Sequence, residues 1–510
     1  QVSSARLQLD PRRRLLDRRW RYLALRVPFE GKVRVVLKTT AAAGASEQKT
    51  WALWGDPRVE FRRSVAGTGE AARRAIVTRG IGGAWQRALQ TAGRDPYALW
   101  LSQREPSRQE LRAQREWSAA SAPYLFSLVT FVDSSPPGEI RRTARSVFDQ
   151  TYGQWEWLIA APDEELRRIR SAMPRGGRSD ERVRFVPVPL RTKRADAWNA
   201  AITLARGQSL ALLGAGDCIS PGALYAMART IGRHPECDLV YSDEDHIAQS
   251  TMRRSGPKFK PAWSPELLVA CNYIGRLTTL RKETVQAVGG FRSTYEGAEE
   301  WDLLLRLSRR KTLIVRLTEC LYHRSPSGEE PGEAGRATLL DHCMQLGREA
   351  DVVRADPGYR VNWKIRGQPF VSVIIPNRNA ASVLRVCLDG LLHKTGYAHR
   401  ELIIVDNDSD DPETKQYYEW LRRRNDTKIV QLGSRFNYSA ACNTGVAAAR
   451  GDLLLFLNND IEVIDAGWLD ELVRWAQWPE VGVVGAKLLY PNAAIQHAGI
   501  VFGLGLVGHM

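Results

Sequence analysis

No run of about 18 consecutive apolar residues occurs in the sequence, so no stretch qualifies as a membrane-spanning helix. The chain opens on QVSSARLQLD, with neither an initiator Met nor the apolar core of a secretion signal, and it reads as clipped at its front. Cysteine is sparse. Cys218, Cys237, Cys271, Cys320, Cys343, Cys387 and Cys442 lie far apart with no CxxC pair, which argues against a zinc site and a disulfide scaffold and suits a reducing interior. The eight histidines form no HExxH. Acidic charge is also short: 57 Asp and Glu against 73 Lys and Arg leave a net charge of +16, which reads either as a solvated basic face or as a match for an anionic partner such as a phosphorylated substrate or a lipid surface. Nucleic acid is set aside, because no stacking platform or reading motif accompanies the cluster Arg12, Arg13, Arg14, Arg18, Arg19 and Arg21.

What is present is ordinary globular material, 44% hydrophobic and 25% charged, in 510 residues that suffice for about three domains. Residues 1–64 read as a β-rich remnant, with strand-like pieces at 32–40 and 51–61 around an Ala/Gly/Ser turn. Residues 65–122 read as a basic helical connector with Trp85, Leu89, Tyr97, Trp100 and Leu101 on its apolar side. From 123 to 330 the texture alternates: a buried strand at 126–132, an amphipathic helix ending near Gln150, and a second strand at 155–160. Residues 331–369 read as a helical linker. The same grammar restarts over 370–510 with VSVIIP, a helix carrying Leu384, Cys387, Leu388, Leu391 and Leu392 at helical spacing, and a strand at 401–405. Strands and helices in alternation imply parallel pairing through right-handed crossovers.

The two α/β regions are copies of one unit. Ser127, Tyr152 and Glu156 match Ser372, Tyr397 and Glu401 at an offset of 245 residues; after one residue of slippage, Asn199 and Arg206-Gly207 match Asn443 and Arg450-Gly451 at 244. In the second copy the run FNYSAACNTGVAAARGDLLLFLNND reads as a helix opened by Asn437 or Ser439, a break at Arg450-Gly451-Asp452, and a strand at 453–457 buried on both faces. That strand carries Asn458, Asn459 and Asp460 to its carboxyl end, the edge of an open α/β sheet where ligands bind. Asp406, in IIVDNDSDD, ends another such strand. One carboxylate to hold a nucleoside and another to hold Mn²⁺ or Mg²⁺ against a diphosphate is the division a nucleotide-sugar site needs. Pro376 and Asn379 would line the same crevice.

These motifs (SVIIPNRN, LIIVDNDSDD, NYSAACNTGVAAARGDLLLFLNND and GAKLLYPNAAIQHAG), with LVYSDEDHI, KPAWSPELLVACNYIG, VGGFR and LYHR in the first copy and GYRVNWKIRG between them, resemble family 2 glycosyltransferases. The likeness is to the tandem-domain type of bacterial surface polysaccharide and O-antigen biosynthesis, and covers about 124–510. It implies an α/β fold of two tandem GT-A, Rossmann-like nucleotide-diphospho-sugar transferase domains, the second truncated. It also implies an inverting, metal-dependent transfer from a nucleotide-sugar to a glycan or lipid-linked acceptor, in the cytoplasm with peripheral contact at the inner face of the plasma membrane. By position, the resemblance makes Glu300 the base with Asp302 beside it. It makes Pro376, Asn379, Asp406, Asn443 and Asp460 nucleotide-sugar ligands, and Asp460 and His323 metal ligands.

The departures from that pattern are as informative. Asp406 corresponds to Ala161 and Asp460 to Gly216, so the first copy has lost both donor-site carboxylates; Asp217, Asp163 or the trio Asp243, Glu244 and Asp245 are the candidates to replace them. In the second copy the equivalent of Glu300 falls beyond Met510. The expectation is a degenerate first domain and a donor-binding second one, with a catalytically silent glycan- or nucleotide-binding scaffold as the alternative. GLGLVG at 503–508 fits GxGxxG, but no helix follows it, and it reads as a loop.

Overall fold

The computed structural model describes residues 95–174, 176–248, 251–325, 332–433, 435–501 and 508–509. The expected β-rich region 1–64 and most of the connector lie outside them, as does nearly all of GLGLVG. One compact unit, Thr68–Glu480, holds two separate α/β sheets. In the other unit the described residues 481–501 and 508–509 form two short antiparallel hairpins.

The described part of the connector is two helices, Pro96–Arg104 and Arg108–Ala120; the second opens on a capping box between Ser107 and Glu110. The first sheet is built from β1 (Phe126–Phe131), β2 (Trp155–Ala161), β3 (Val183–Pro187), β4 (Ser209–Leu212), β5 (Cys218–Ile219), β6 (Leu239–Ile247), β7 (Arg254–Lys258), β8 (Thr278–Arg281) and β9 (Ile314–Arg324), in the order β3-β2-β1-β4-β8-β6-β9-β5 with β7 against β6. The half β3-β2-β1-β4 is parallel, and β8 runs antiparallel to β4 and β6. β1 and β2 are buried along nearly their whole length because helices cover both faces, and Phe126, Trp155, Trp157 and Tyr152 fill the core beneath them.

The linker departs from expectation. A helix, Gly332–Gln345, is followed by an antiparallel hairpin, β10 (Ala350–Arg354) with β11 (Tyr359–Trp363). Alternation decides it: Tyr359, Val361 and Trp363 are buried while Arg360 is exposed, a period of two that no helix can satisfy. The hairpin grips both copies. The Tyr359 N–H donates to the Ala270 carbonyl at 2.8 Å and its ring meets Trp301, while Trp363 meets Trp475 and Trp478 edge-on.

The second sheet is β12 (Val371–Asn377), β13 (Arg400–Asp406), β14 (Thr427–Gln431) and β15 (Leu453–Phe456), all parallel in the order β14-β13-β12-β15. It reproduces β3-β2-β1-β4 in register: Phe126 pairs with Trp155 and Ser209, and Val371 with Arg400 and Leu453. The repeated polar residues make one buried device in both. Ser127 donates to Glu156 at 2.7 Å and accepts from the Gly207 N–H at 2.9 Å; Ser372 donates to Glu401 and accepts from the Gly451 N–H, both at 2.8 Å. Glycine is required there, since a Cβ at 207 or 451 would stand 2.5 or 2.7 Å from the carbonyl oxygen of Leu125 or Phe370. Burial opposes the charged form of Glu401, but Ser372, the Arg450 N–H and Lys428 outweigh it and hold the carboxyl below its ordinary 4.5.

One strand differs from its reading. β15 is half exposed, with Leu454 at 43% and Phe456 at 48%, whereas β4 is buried along its length. The reason is topological: β8 covers the outer edge of β4, and among the described residues no strand pairs with the outer edge of β15.

Candidate active site

The carboxyl ends of β12, β13 and β15 open onto a cleft of about 380 Å³, large enough for a small organic ligand. β12 supplies Pro376 and Asn377, followed by Arg378; β13 is followed by Asn407 and β15 by Asn458 and Asn459. Phe436 and Tyr438 complete the lining from the start of the helix Tyr438–Ala448. Asn437 caps that helix by accepting the Ala440 N–H at 3.0 Å, so of the two expected caps it is the one used.

The amides are cross-braced. Asn377 donates to the Asn379 carbonyl at 2.9 Å and to the Tyr418 hydroxyl at 2.8 Å, and accepts from Asn459 at 2.7 Å, which ties the β12 end to the β15 end. Asp406 is buried, accepting from Tyr418 at 3.0 Å and Ser409 at 2.5 Å, and its neighbour Asn407 is the residue that lines the cleft. Burial pushes the Tyr418 hydroxyl up to about 12, which keeps it protonated as a donor. Asn379 stands in the left-handed region, φ 50°, and its side chain accepts from the N–H groups of Asp410 and Asp411, making it a brace for that loop. Asp460 is exposed, and no described residue hydrogen-bonds or ion-pairs with its carboxylate. Asp460 directly follows the lining residue Asn459 without itself being part of the cleft lining, and its open carboxylate is the kind of oxygen ligand that Mg²⁺ or Mn²⁺ takes when substrate and water complete the shell.

Asn443 falls elsewhere. It is exposed on its helix and is not part of the cleft lining; its counterpart Asn199 accepts from the Phe291 N–H at 3.0 Å and donates to the Phe291 carbonyl at 2.8 Å, a packing role.

The corresponding strand ends of the first copy are closed. Ala161 is fully buried at the end of β2. Gly216 has φ +88°, and a Cβ there would stand 3.3 Å from the Glu139 carboxylate. Asp217 points inward: it accepts from Tyr322 at 2.5 Å, from the Ser325 N–H at 2.8 Å and from Arg276 at 2.9 Å. Arg276 also lies 3.7 Å from Glu300, and the cavity beside the pair holds about 20 Å³, room for one water. The trio on β6 offers no replacement either. Asp243 pairs with Arg316 and Glu244 with Lys260 and Arg324. Burial opposes the charge on Glu244, but Lys260 and Arg324 prevail and hold it below the ordinary glutamate range.

Asp302 and His323 are both engaged by residues of the first copy. Asp302 is buried between Arg292 and Arg306, with Arg306 at 2.8 Å, so its carboxylate is held in ion pairs within the first copy. His323 belongs to the first sheet, not to that of Asp460. With Asp245 and Cys320 it places three ligand atoms within 4.8 Å of one another. Those atoms are engaged: His323 bonds Ser220 at 2.9 Å and Asp245 at 2.7 Å, and Asp245 also accepts from Tyr97 and Arg254, both at 2.6 Å. Burial lowers the His323 pKa and pushes the Cys320 thiol up to about 12, so a neutral thiol and an internal guanidinium stand where a hard cation would need oxygen ligands.

Sequence reasoning missed Asn377, Arg378, Asn407, Phe436 and Tyr438 in the cleft, although all flank strand or helix ends it had placed. It missed Arg276 entirely, and nothing in NYIGRLTTL distinguishes that arginine from a surface one.

The profile described as "Glycosyl transferase family 2" matches residues 129–289 and 372–498, once in each copy. The chain is 38% identical over 428 residues to the O-antigen biosynthesis protein RfbC of Myxococcus xanthus, covering 81% of this chain and 33% of that protein. It is 37% identical over 407 residues to the uncharacterized protein y4gI of Sinorhizobium fredii, covering 76% and 44%. The matches thus span less than half the length of either relative. A crystal structure of S. aureus TarS in complex with UDP-GlcNAc shares 12% identity over 44% of this chain and 66% of that one, with a TM-score of 0.35. With more than half its residues matched by the profile, in two tandem α/β domains of GT-A type, the chain belongs to glycosyltransferase family 2.

Proposed function

We propose that the second copy is the donor site of a metal-dependent, inverting glycosyltransferase of bacterial surface-polysaccharide synthesis, and that the first copy is a non-catalytic scaffold. One observation carries this reading: the second copy combines an open cleft with an exposed, unengaged Asp460, while the first has Gly216 at that position and Arg276 neutralising its nearest acid. The divalent ion held by Asp460, when bound, supplies positive charge to the leaving diphosphate. The chain's own residues do the rest of the donor's positioning. Asn377 and Asn459 keep the two strand ends together, Arg378 adds a fixed positive charge beside the phosphates, and Asp406, locked by Ser409 and Tyr418, shapes the base end. In the reaction the acceptor oxygen bonds to the anomeric carbon as that carbon's bond to the diphosphate breaks. The electron pair leaves with the diphosphate, and the hydroxyl proton passes to a carboxylate. Glu300 and Asp302 belong to the first copy, and Asp302 is held in ion pairs there, so that carboxylate is neither of them.

The donor is a nucleotide-sugar and the acceptor a glycan or lipid-linked glycan, reached from the cytoplasm with peripheral contact at the membrane's inner face. No helix among the described residues is long and apolar enough to cross a membrane. The test is sugar release from UDP- and GDP-sugars by the whole chain with and without Mn²⁺. Metal-dependent turnover abolished by Asp460→Asn supports the reading; turnover that survives the substitution overturns it.

A further inference from the structure

We propose that Phe436 and Tyr438 are the stacking face for the planar base of the donor nucleotide, which makes the entry to the helix Tyr438–Ala448 the base-binding element of the second copy. The inference rests on the donor-site reading above and goes beyond it, since it identifies which part of the donor is recognised and by what.

Three observations carry it. First, the two rings are 55% and 48% exposed, yet both line the cleft rather than scattering over the surface. Exposed aromatics gathered on one concave polar site indicate a ligand with a flat apolar face. Second, the local backbone aims them together. Asn437 is extended, φ −144° and ψ 124°, and its side chain turns back to cap the helix. In extended chain successive side chains alternate, so the residues on either side of Asn437 share the opposite face.

Third, the molecule carries its own control. The helices Arg194–Leu204 and Tyr438–Ala448 correspond residue for residue, which sets Thr192 against Phe436 and Arg194 against Tyr438. In the first copy neither ring is present. Arg194 instead lies 3.9 Å from Glu299, and Lys193 lies 3.8 Å from Glu296. Aromatic rings therefore stand at these two positions only in the copy that keeps Asp406 and Asp460.

Strand order selects the base over the sugar. Asp460 follows β15 at one edge of the sheet, and a diphosphate drawn there leaves the rest of the nucleotide to extend toward β12 and β13, across which the helix Tyr438–Ala448 packs. Asn377 and Asn407, at the ends of those two strands, line the same cleft as the two rings. Every base has a π-face, and stacking on an aromatic ring contributes enough that its removal is read as about a ten-fold loss of affinity.

The experiment is calorimetric titration of the whole chain, in Mn²⁺, with UDP, GDP, ADP, CDP and inorganic pyrophosphate, for the wild type, Phe436→Ala, Tyr438→Ala and the conservative Tyr438→Phe. Both rings are exposed, so thermal melts of the variants should overlay the wild type. The expected result is about ten-fold weaker binding of the preferred nucleoside diphosphate in each alanine variant, with pyrophosphate affinity unchanged and Tyr438→Phe close to wild type. Nucleotide affinity within two-fold of wild type would overturn the proposal. Equal weakening of pyrophosphate, or altered discrimination among nucleotide-sugars at unchanged nucleoside diphosphate affinity, would also overturn it, by moving the rings to the phosphates or to the sugar. A wild type that binds none of the four nucleotides fails the donor-site reading itself, a different outcome from variants that bind normally.

Discussion

The two copies share a backbone and differ in where their charge is settled. In the first, the acids near the strand ends are buried against cations of the chain: Asp217 with Arg276, Asp243 with Arg316, Glu244 with Lys260, Asp245 with Arg254. In the second, Asp460 faces solvent with no partner among the described residues, and the cleft lined by its neighbours Asn458 and Asn459 has about 380 Å³ against about 20 Å³ next to Arg276 and Glu300. A duplicated fold can therefore keep its architecture while one copy converts a ligand site into internal ion pairs. The shared Ser–Glu–Gly device at the amino ends of the strands, opposite the carboxyl ends where the copies differ, is the part that the divergence left alone.

The comparison is broken most directly by Asp460→Asn, for which we expect at least a 100-fold loss of metal-dependent turnover, about 3 kcal/mol of lost transition-state stabilisation, with unchanged thermal stability. Steady-state sugar release and a melting curve check it together. Next in size is Arg276→Ala. It leaves Asp217 buried without its cation and should destabilise the first domain by about 3 kcal/mol, visible in denaturant unfolding, while nucleotide affinity stays put. Replacing Glu401 by Gln removes a buried acceptor from the repeated device and should cost about 2 kcal/mol at pH 7. Because the folded-state pKa of Glu401 lies below 4.5, the stabilisation is present above 4.5 and lost as pH falls through the lower folded value; the gap between wild type and variant should close in unfolding titrations below that point. A smaller effect is expected of Gly216→Asp, the attempt to restore the lost acid. The φ of +88° and the nearby Glu139 oppose it, so about 1 kcal/mol should be lost and no second metal-dependent nucleotide site gained by calorimetry. Glu300→Gln should change donor turnover by less than two-fold, since Glu300 lies in the first copy beside Arg276.

The repeat was legible because it rests on local and register-bound signals. Apolar runs such as VSVIIP, the glycine forced by the Leu125 and Phe370 carbonyls, and the Ser–Glu pairs recur at fixed offsets whatever surrounds them. What could not be read was the identity of distant partners. Asp302 looks like an available acid until Arg292 and Arg306 close on it, and His323 looks like a metal ligand until Ser220 and Asp245 take both its nitrogens. The strand 453–457 was expected to be buried because its sequence is apolar; the exposure of the observed Leu453–Phe456 depends on which strand lies alongside, and composition does not record that. The linker hairpin was hidden for a different reason, since alternation over five residues is weak beside the helical stretch that precedes it.

The central claim is that one nucleotide site exists per chain and that it belongs to the second copy. Its most direct test is the stoichiometry of nucleoside diphosphate binding to the whole chain in Mn²⁺, measured by calorimetry for the wild type and Asp460→Asn. The account predicts one site per chain, lost in the variant. Two sites, or one site untouched by Asp460→Asn, would contradict it.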